Sequence, residues 1–221
     1  MVFRTPVIKH ILARKVKRGE SQLPKIVDHD AYRMELLEQA TPLFLQAGYA
    51  GLTTRQLACQ LGISTGKLYH YFTSKESLFE ALVQHWTEQE SNEVRDSFAR
   101  IQDRQERIRS IAHCLTDSRE KFETQIHLML QYARVQEQKG VDTRPFWDKI
   151  SSIWEEMTKE LLDLKSEFAC SLVSQVIDGL FMQWLQGCQN KDIFWFFDRL
   201  AHWLPLIDEA ESKSSTTPSK S

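Results

Sequence analysis

The chain has 221 residues, a formal net charge of −2, 42% hydrophobic residues, six prolines and eight glycines. That length buries a core as one or two domains, and the scarcity of Pro and Gly leaves room for long helices. No unbroken run of about 18 apolar residues is present, so no membrane partner is expected. Four widely spaced cysteines, Cys59, Cys114, Cys170 and Cys188, include no Cys-x-x-Cys. They fit reduced thiols better than a disulfide scaffold, and with no apolar secretory core at the start a cytoplasmic location is expected.

The charge is unevenly spread. Residues 1–75 hold 11 Lys/Arg against 5 Asp/Glu, whereas residues 76–221 hold 17 against 25. The first end suits a polyanion and the second repels one. Residues 1–27 form a basic arm with seven cations (Arg4, Lys9, Arg14, Lys15, Lys17, Arg18 and Lys25) and one anion, Glu20. Val7, Ile8, Ile11, Leu12 and Val16 would line one side of a short helix, ended by Gly19, Ser21 and Pro24. Such a stretch, flexible when unbound, suits phosphates or a membrane surface.

Next comes "DHDAYRMELLEQATPLFLQAG", with apolar residues at 32, 36, 37, 40, 43, 44 and 47. This spacing predicts a helix capped by Asp28 or Asp30 and stopped at Gly48, with a kink at Pro42. Thr53 and Thr54 are good N-caps for "RQLACQL", which Gly62 breaks after Leu61; Ser64 then caps "TGKLYHY". Leu57, Ala58, Leu61, Ile63, Leu68 and Phe72 supply an apolar interior for this helix–turn–helix. A long helix opens at Ser74. Segments at roughly 103–116, 118–139 and 144–164 follow, then 166–187 and 191–207, divided by Gly187. No segment shows sustained alternation, so the fold class is all-α with about nine helices. The polar residues 209–221 are expected to be a disordered tail.

In a DNA-binding helix-turn-helix the second helix enters the major groove and the first crosses the backbone. Thr65, Lys67 and His70 would then project outward, with Tyr69, Tyr71 and Lys75 as donors where phosphates pass. The stretch "GLTTRQLACQLGISTGKLYHYFTSKESLFEAL" resembles the TetR family of one-component bacterial transcriptional regulators. Thr53, Leu57, Ala58, Gly62, Ile63, Ser64, Gly66, Leu68, Tyr69, Tyr71, Phe72, Lys75 and Leu78 carry the resemblance. It departs from the family pattern at Leu61, where alanine is frequent, and in the longer basic arm.

The resemblance implies a DNA-binding domain over 28–75 and a ligand-binding and dimerisation domain over 76–208. It further implies a homodimeric repressor released from a pseudo-palindromic double-stranded DNA operator by a small, largely apolar effector. Base contacts would come from Arg55, Thr65 and Lys67, with Arg55 the natural bidentate reader of guanine. Phosphate contacts would come from Thr54, Tyr69, His70, Tyr71 and Lys75. Phe72 reads more naturally as packing and Thr53 as a cap.

Other chemistries lack their signatures. There is no Gly-x-Gly, no Gly-x-Ser-x-Gly and no His-Glu-x-x-His, and Gly66-Lys67 is followed by Leu68 rather than Ser or Thr. Neither enzyme activity, cofactor nor metal is expected. The other readings are a nucleoid- or membrane-associated binding protein acting through the arm, and an enzyme using a helical pocket.

Residues 166–187 and 191–207 are apolar nearly all round, as helices buried on several sides are. They are expected to face both their own core and a second copy, with Phe168, Ile177, Phe181, Trp184, Phe194, Phe197 and Trp203 at the dimer interface. Between residues 98 and 185, His113, Phe122, His127, Gln131, Tyr132, Trp147 and Trp154 are expected to line a mostly apolar pocket.

Overall fold

Asp28 Oδ1 accepts the amides of Asp30 and Ala31, both at 3.1 Å, and the first described helix begins there. Free amides at a helix start need such acceptors, and the same device recurs along the chain. Thr53 and Gln56 close a reciprocal capping box, Ser64 accepts the Lys67 amide, and Ser74 and Ser77 close a second box. The computed structural model describes residues 28–188 and 192–215, so the basic arm 1–27 lies outside the described residues.

Nine helices occur among the described residues: α1 (His29–Ala47), α2 (Thr54–Gln60), α3 (Thr65–Tyr71), α4 (Lys75–Phe98), α5 (Arg104–Asp117), α6 (Arg119–Gln138), α7 (Arg144–Leu161), α8 (Glu167–Leu185) and α9 (Ile193–Ser215). The all-α expectation is met. The turn from α1 to α2 depends on two glycines. Gly48 has φ +72°, and a Cβ at Gly51 would lie 2.1 Å from the Ala47 carbonyl oxygen.

Two hydrophobic cores follow. The first joins α1–α3 and the first half of α4 to Leu128 and Tyr132 of α6 and Ile150 of α7. The second joins α5, α8 and α9 to Phe98 at the end of α4 and to Leu162 and Leu164 beyond α7. α4, α6 and α7 run through both, and apart from Gln136, which is buried against Tyr49 in the first core, their buried polar residues fall from the edge of the first core toward the second. These are His85, Thr87, Glu90 and Ser91 on α4, Gln125 on α6 and Thr158 on α7. Glu90 accepts from Gln125 Nε2 at 2.7 Å and from Lys121 Nζ at 2.9 Å, whereas His85 Nε2 is buried with no partner.

Pro42 sits within α1 on its exposed face. Two expectations are corrected. α7 ends at Leu161 rather than 164, because Asp163 takes φ +48° and the Leu164 amide returns to the Lys159 carbonyl. An aspartate in the left-handed region replaces the usual glycine stop. α9 extends to Ser215, so residues 209–215 are helical; residues 216–221 of the expected tail lie outside the described residues. α8 is long and apolar enough to cross a membrane by length and composition, although Glu167 and Asp178 interrupt any apolar run.

The end of α9 is fixed by Asp208, which is 1% exposed. Its carboxylate accepts from the amides of Lys165 and Ser166 at 2.8 and 2.7 Å and from Arg104 at 2.7 Å. One side chain thereby ties α9 to the starts of α5 and α8. Burial alone would raise this carboxyl, but the Ser166 amide, Arg104 and the Lys165 amide outweigh it and hold the group below the usual range. A depressed folded pKa stabilises the fold above the unfolded value near pH 4, and the benefit is lost as pH falls through the folded value. Asp208→Asn is expected to cost about 2–4 kcal/mol at pH 7, since it leaves Arg104 unpaired. Urea unfolding at neutral pH and near pH 3 checks this: the variant's deficit must shrink in acid.

Candidate nucleic-acid interface

The α2–turn–α3 unit is built as the residue spacing requires. Leu57, Ala58, Leu61, Leu68 and Phe72 are buried, and Gly62 turns the chain at φ +68°. With those faces turned inward, the opposite faces are left to solvent. Arg55 at the first turn of α2, and Lys67, Tyr69 and His70 on α3, are exposed; Thr54, Thr65, Tyr71 and Lys75 are half-buried. Residues 53–75 contain three cations, Arg55, Lys67 and Lys75, and no carboxylate. All four anions of residues 28–75, Asp28, Asp30, Glu35 and Glu38, lie on α1 or at its N-cap.

The expected contact residues divide by what already holds them. Arg55 forms no hydrogen bond or ion pair among the described residues, so its guanidinium is available in full. The Lys67 ammonium rests 4.2 Å above the Tyr32 ring, and hydrogen bonding to the Tyr32 side chain raises its pKa. Gly66 has open space where a Cβ would stand, so nothing within the chain calls for glycine there; a closely approaching partner backbone would. Lys75 points the other way. Its Nζ donates to the carbonyls of Tyr49 and Leu52 at 3.0 and 2.9 Å and lies 4.2 Å above the Tyr49 ring. Burial lowers the Lys75 pKa, Glu76 opposing the effect. The cation at this helix start is therefore accounted for inside the chain.

Tyr49, which carries none of the motif signals, is the buried hub behind this surface. Its amide donates to Gln131 Oε1 at 3.0 Å and its hydroxyl accepts from Gln136 Nε2 at 3.0 Å. Nearby, Tyr132 donates to Glu80, and Lys139 pairs with Glu76 at 2.6 Å. Burial works to raise the Glu76 carboxyl, but the Lys139 hydrogen bond and its companions bring it down to about 2. α6 thus grips the start of α4 and the α1–α2 turn at once. In the sequence Tyr49 is marked only by its Ala-Gly-Tyr-Ala-Gly context, a large ring between two glycines.

The seven residues expected to line one pocket do not gather. Tyr132 is buried in the first core, with Trp147 and Trp154 packed against it. Phe122 packs on the second core, 5.4 Å from Phe181, and His113 lies 4.7 Å from Phe194. His127 and Gln131 lie instead on an open groove of about 910 Å³ between α6 and the α6–α7 turn. A seven-residue set spread over two cores reflects helices that pass through both. The expected dimer residues also divide. Trp184 and Phe197 are 4% and 0% exposed and belong to the second core, which corrects their assignment. Phe168, Phe194 and Trp203 face outward, and Ile177 and Phe181 are half-buried.

The model of bacterial regulatory proteins of the tetR family matches residues 36–82, from mid-α1 into α4. Over 50 residues the chain is 46% identical to the HTH-type transcriptional repressor AcnR of Corynebacterium diphtheriae, covering 23% of this chain and 26% of AcnR. It spans only about a quarter of that protein. To the HTH-type transcriptional regulator BetI of Burkholderia ambifaria it is 27% identical over 177 residues, 75% of this chain and 86% of BetI. The crystal structure of the transcriptional regulator FadR from Bacillus subtilis in complex with stearoyl-CoA shares the fold, with TM-score 0.54 at 17% identity over 77% of this chain and 96% of that one.

Proposed function

We propose that this chain, which belongs to the TetR family of DNA-binding bacterial regulators, acts as a homodimeric repressor that a small ligand releases from its operator. The observation that carries the DNA-reading part is the carboxylate-free row of residues 53–75, with Arg55 exposed and uncommitted at the start of α2 and Thr65 and Lys67 at the start of α3. In this reading those three residues reach base edges in the major groove, and Thr54, Tyr69, His70 and Tyr71 flank phosphates. Lys75 supports the surface from behind through the Tyr49 and Leu52 carbonyls and is not one of the phosphate contacts. The basic arm supplies the sequence-independent charge that residues 28–75, with four cations and four anions, lack. Arg55→Ala is expected to lose about 1–3 kcal/mol and to relax base preference at one position of each half-site. Binding-site selection on the variant checks this; unchanged preference removes Arg55 from the base-reading set.

Dimerisation is supported by the outward apolar side chains of α8 and α9. Phe168 and Met182 are 56% and 54% exposed, and Trp195, Trp203 and Leu206 are 61%, 55% and 53% exposed. So broad an apolar surface on adjacent helices suits a two-fold partner, and two-fold symmetry calls for a pseudo-palindromic operator. Phe168→Glu combined with Trp203→Glu is expected to give folded monomers that bind DNA poorly, since both side chains already face outward. Sedimentation at micromolar concentration tests the idea, and a monomeric wild type would sink it.

Ligand release is supported by the seam between the cores, where three helices contribute buried polar groups and His85 Nε2 has no partner. Buried polar groups left unpaired are costly and seek a partner. A largely apolar molecule with a polar head fits such a place, and the FadR neighbour is seen with a ligand of that kind. Release follows if the ligand prefers a conformer whose two recognition helices are wrongly spaced. A thermal-shift screen of fatty-acyl and other apolar compounds is expected to yield hits that lower operator affinity by about 5–150-fold. Hits that stabilise the protein and leave operator affinity unchanged would refute the coupling.

A further inference from the structure

The first turn of α1 is built into the reading surface. His29 opens α1, and its Nδ1 lies 3.3 Å from the Tyr71 hydroxyl on α3. Its ring stands 5.8 Å from that of His70 and 5.9 Å from that of Tyr71, and His70 and Tyr71 stand 5.2 Å apart at 87°. Tyr32, one turn along α1, lies 5.2 Å from Tyr71 and carries the Lys67 ammonium above its ring. Two imidazoles and a phenol hydroxyl from two helices therefore meet on one patch beside a cation.

The charged groups around this patch are few. On α1, Asp28 spends its oxygen on the amides of Asp30 and Ala31, Asp30 lies in the first turn, and Arg33 rests 5.0 Å above Phe72. On α3 the only charged neighbour is Lys67, on which Glu35 acts electrostatically. Among the described residues no carboxylate forms an ion pair with His29 or His70. Two imidazoles so close repel once both are protonated, and an anion against them reverses that cost. A phosphodiester oxygen is such an anion, and hydrogen bonds from protonated imidazoles to it are of the stronger, charge-assisted kind.

We propose that His29 is a DNA-backbone contact, forming with His70 and Tyr71 a clamp for one phosphate, so that DNA binding takes up protons and tightens as pH falls from 8 toward 6. The proposal rests on the DNA-reading surface described above and adds α1 to it. It also predicts a regulated property. Residues 28–75 are otherwise electrically balanced, so two added charges change their attraction for a polyanion substantially. Imidazole is the side chain that makes this change near neutrality.

Fluorescence anisotropy of the full chain on a duplex of about 30 base pairs of arbitrary sequence tests this, because phosphate contacts carry no sequence information. At fixed low ionic strength, each imidazole whose pKa rises by one unit on binding contributes about a tenfold tightening on acidification. His29→Asn is expected to remove one imidazole's share of the pH slope; His10 in the arm and His70 keep theirs, so the difference between variants is what is read. His29→Lys is expected to bind at pH 8 at least as tightly as the wild type, with the same flattened slope. If His29 only props Tyr71, His29→Lys weakens binding at every pH and leaves the slope intact, which overturns the proposal. So does a wild type whose binding is independent of pH. A wild type that binds no duplex at any pH overturns the reading surface itself, and the clamp with it.

Discussion

The orientation of α2 and α3, the helices of the proposed reading surface, depends on the burial of Tyr49. This side chain is 0% exposed, ringed by Phe44, Phe79 and Tyr132, and each of its polar groups is used. Its amide and hydroxyl go to Gln131 and Gln136 on α6, and its carbonyl to Lys75 at the start of α4. Leaving one such group unpaired in a buried setting costs about 1–3 kcal/mol. α6 cannot slide along its axis by a fraction of a turn without incurring that cost at both glutamines. The position of α2 and α3 is therefore referred to α6 through one residue in the turn before them. The Glu76–Lys139 and Tyr132–Glu80 pairs surround the same junction and resist the same displacement.

That arrangement explains a division among the cations. A lysine at a helix start opposes the helix dipole, and Lys75 would be a poor choice were it merely solvated. Two carbonyl acceptors and an aromatic face hold it in place. Arg55 has no such commitment, and Lys67 leans on a ring that leaves its N–H groups accessible. Residues on one short stretch thus serve two purposes: some fix the surface and others remain free to meet a partner. The sorting of anions onto α1 and away from residues 53–75 keeps the field of the free ones uncancelled at short range.

The motif was legible because its constraints are local. A cap needs Ser, Thr or Asp at one position, a left-handed turn favours Gly62, and apolar residues at helical spacing mark the inner face. Those requirements can be read from a dozen consecutive letters. The α8–α9 faces were not legible in the same way. When a helix is apolar nearly all round, the pattern does not distinguish Trp184, turned to its own core, from Phe168, turned outward; the neighbours α5 and α7 decide it. Gln131 and Gln136 look like solvent-facing residues of a polar helix, and only the fold brings them to Tyr49, 82 and 87 residues away in sequence. The stop of α7 at Asp163 used a residue that usually signals a helix start.

The two cores differ in what they must preserve. The first holds a fixed surface, and at its centre the polar atoms of Tyr49, Tyr132 and Trp86 are engaged. The second and the seam above it carry no such obligation beyond the three-way anchor at Asp208. Glu90, Gln125 and Lys121 satisfy one another across the seam, yet His85 does not share in that network. Regions with incompletely satisfied buried groups lie at the low-stability end of a fold and are where a bound molecule gains most by supplying the missing partner. Since α4, α6 and α7 cross the seam and also build the first core, a change of spacing there is felt at Tyr49 without any contact to the reading helices. The motif could be read from sequence and the seam could not, because a buried polar layer appears in the letters as ordinary His, Thr, Glu, Ser and Gln scattered over three helices.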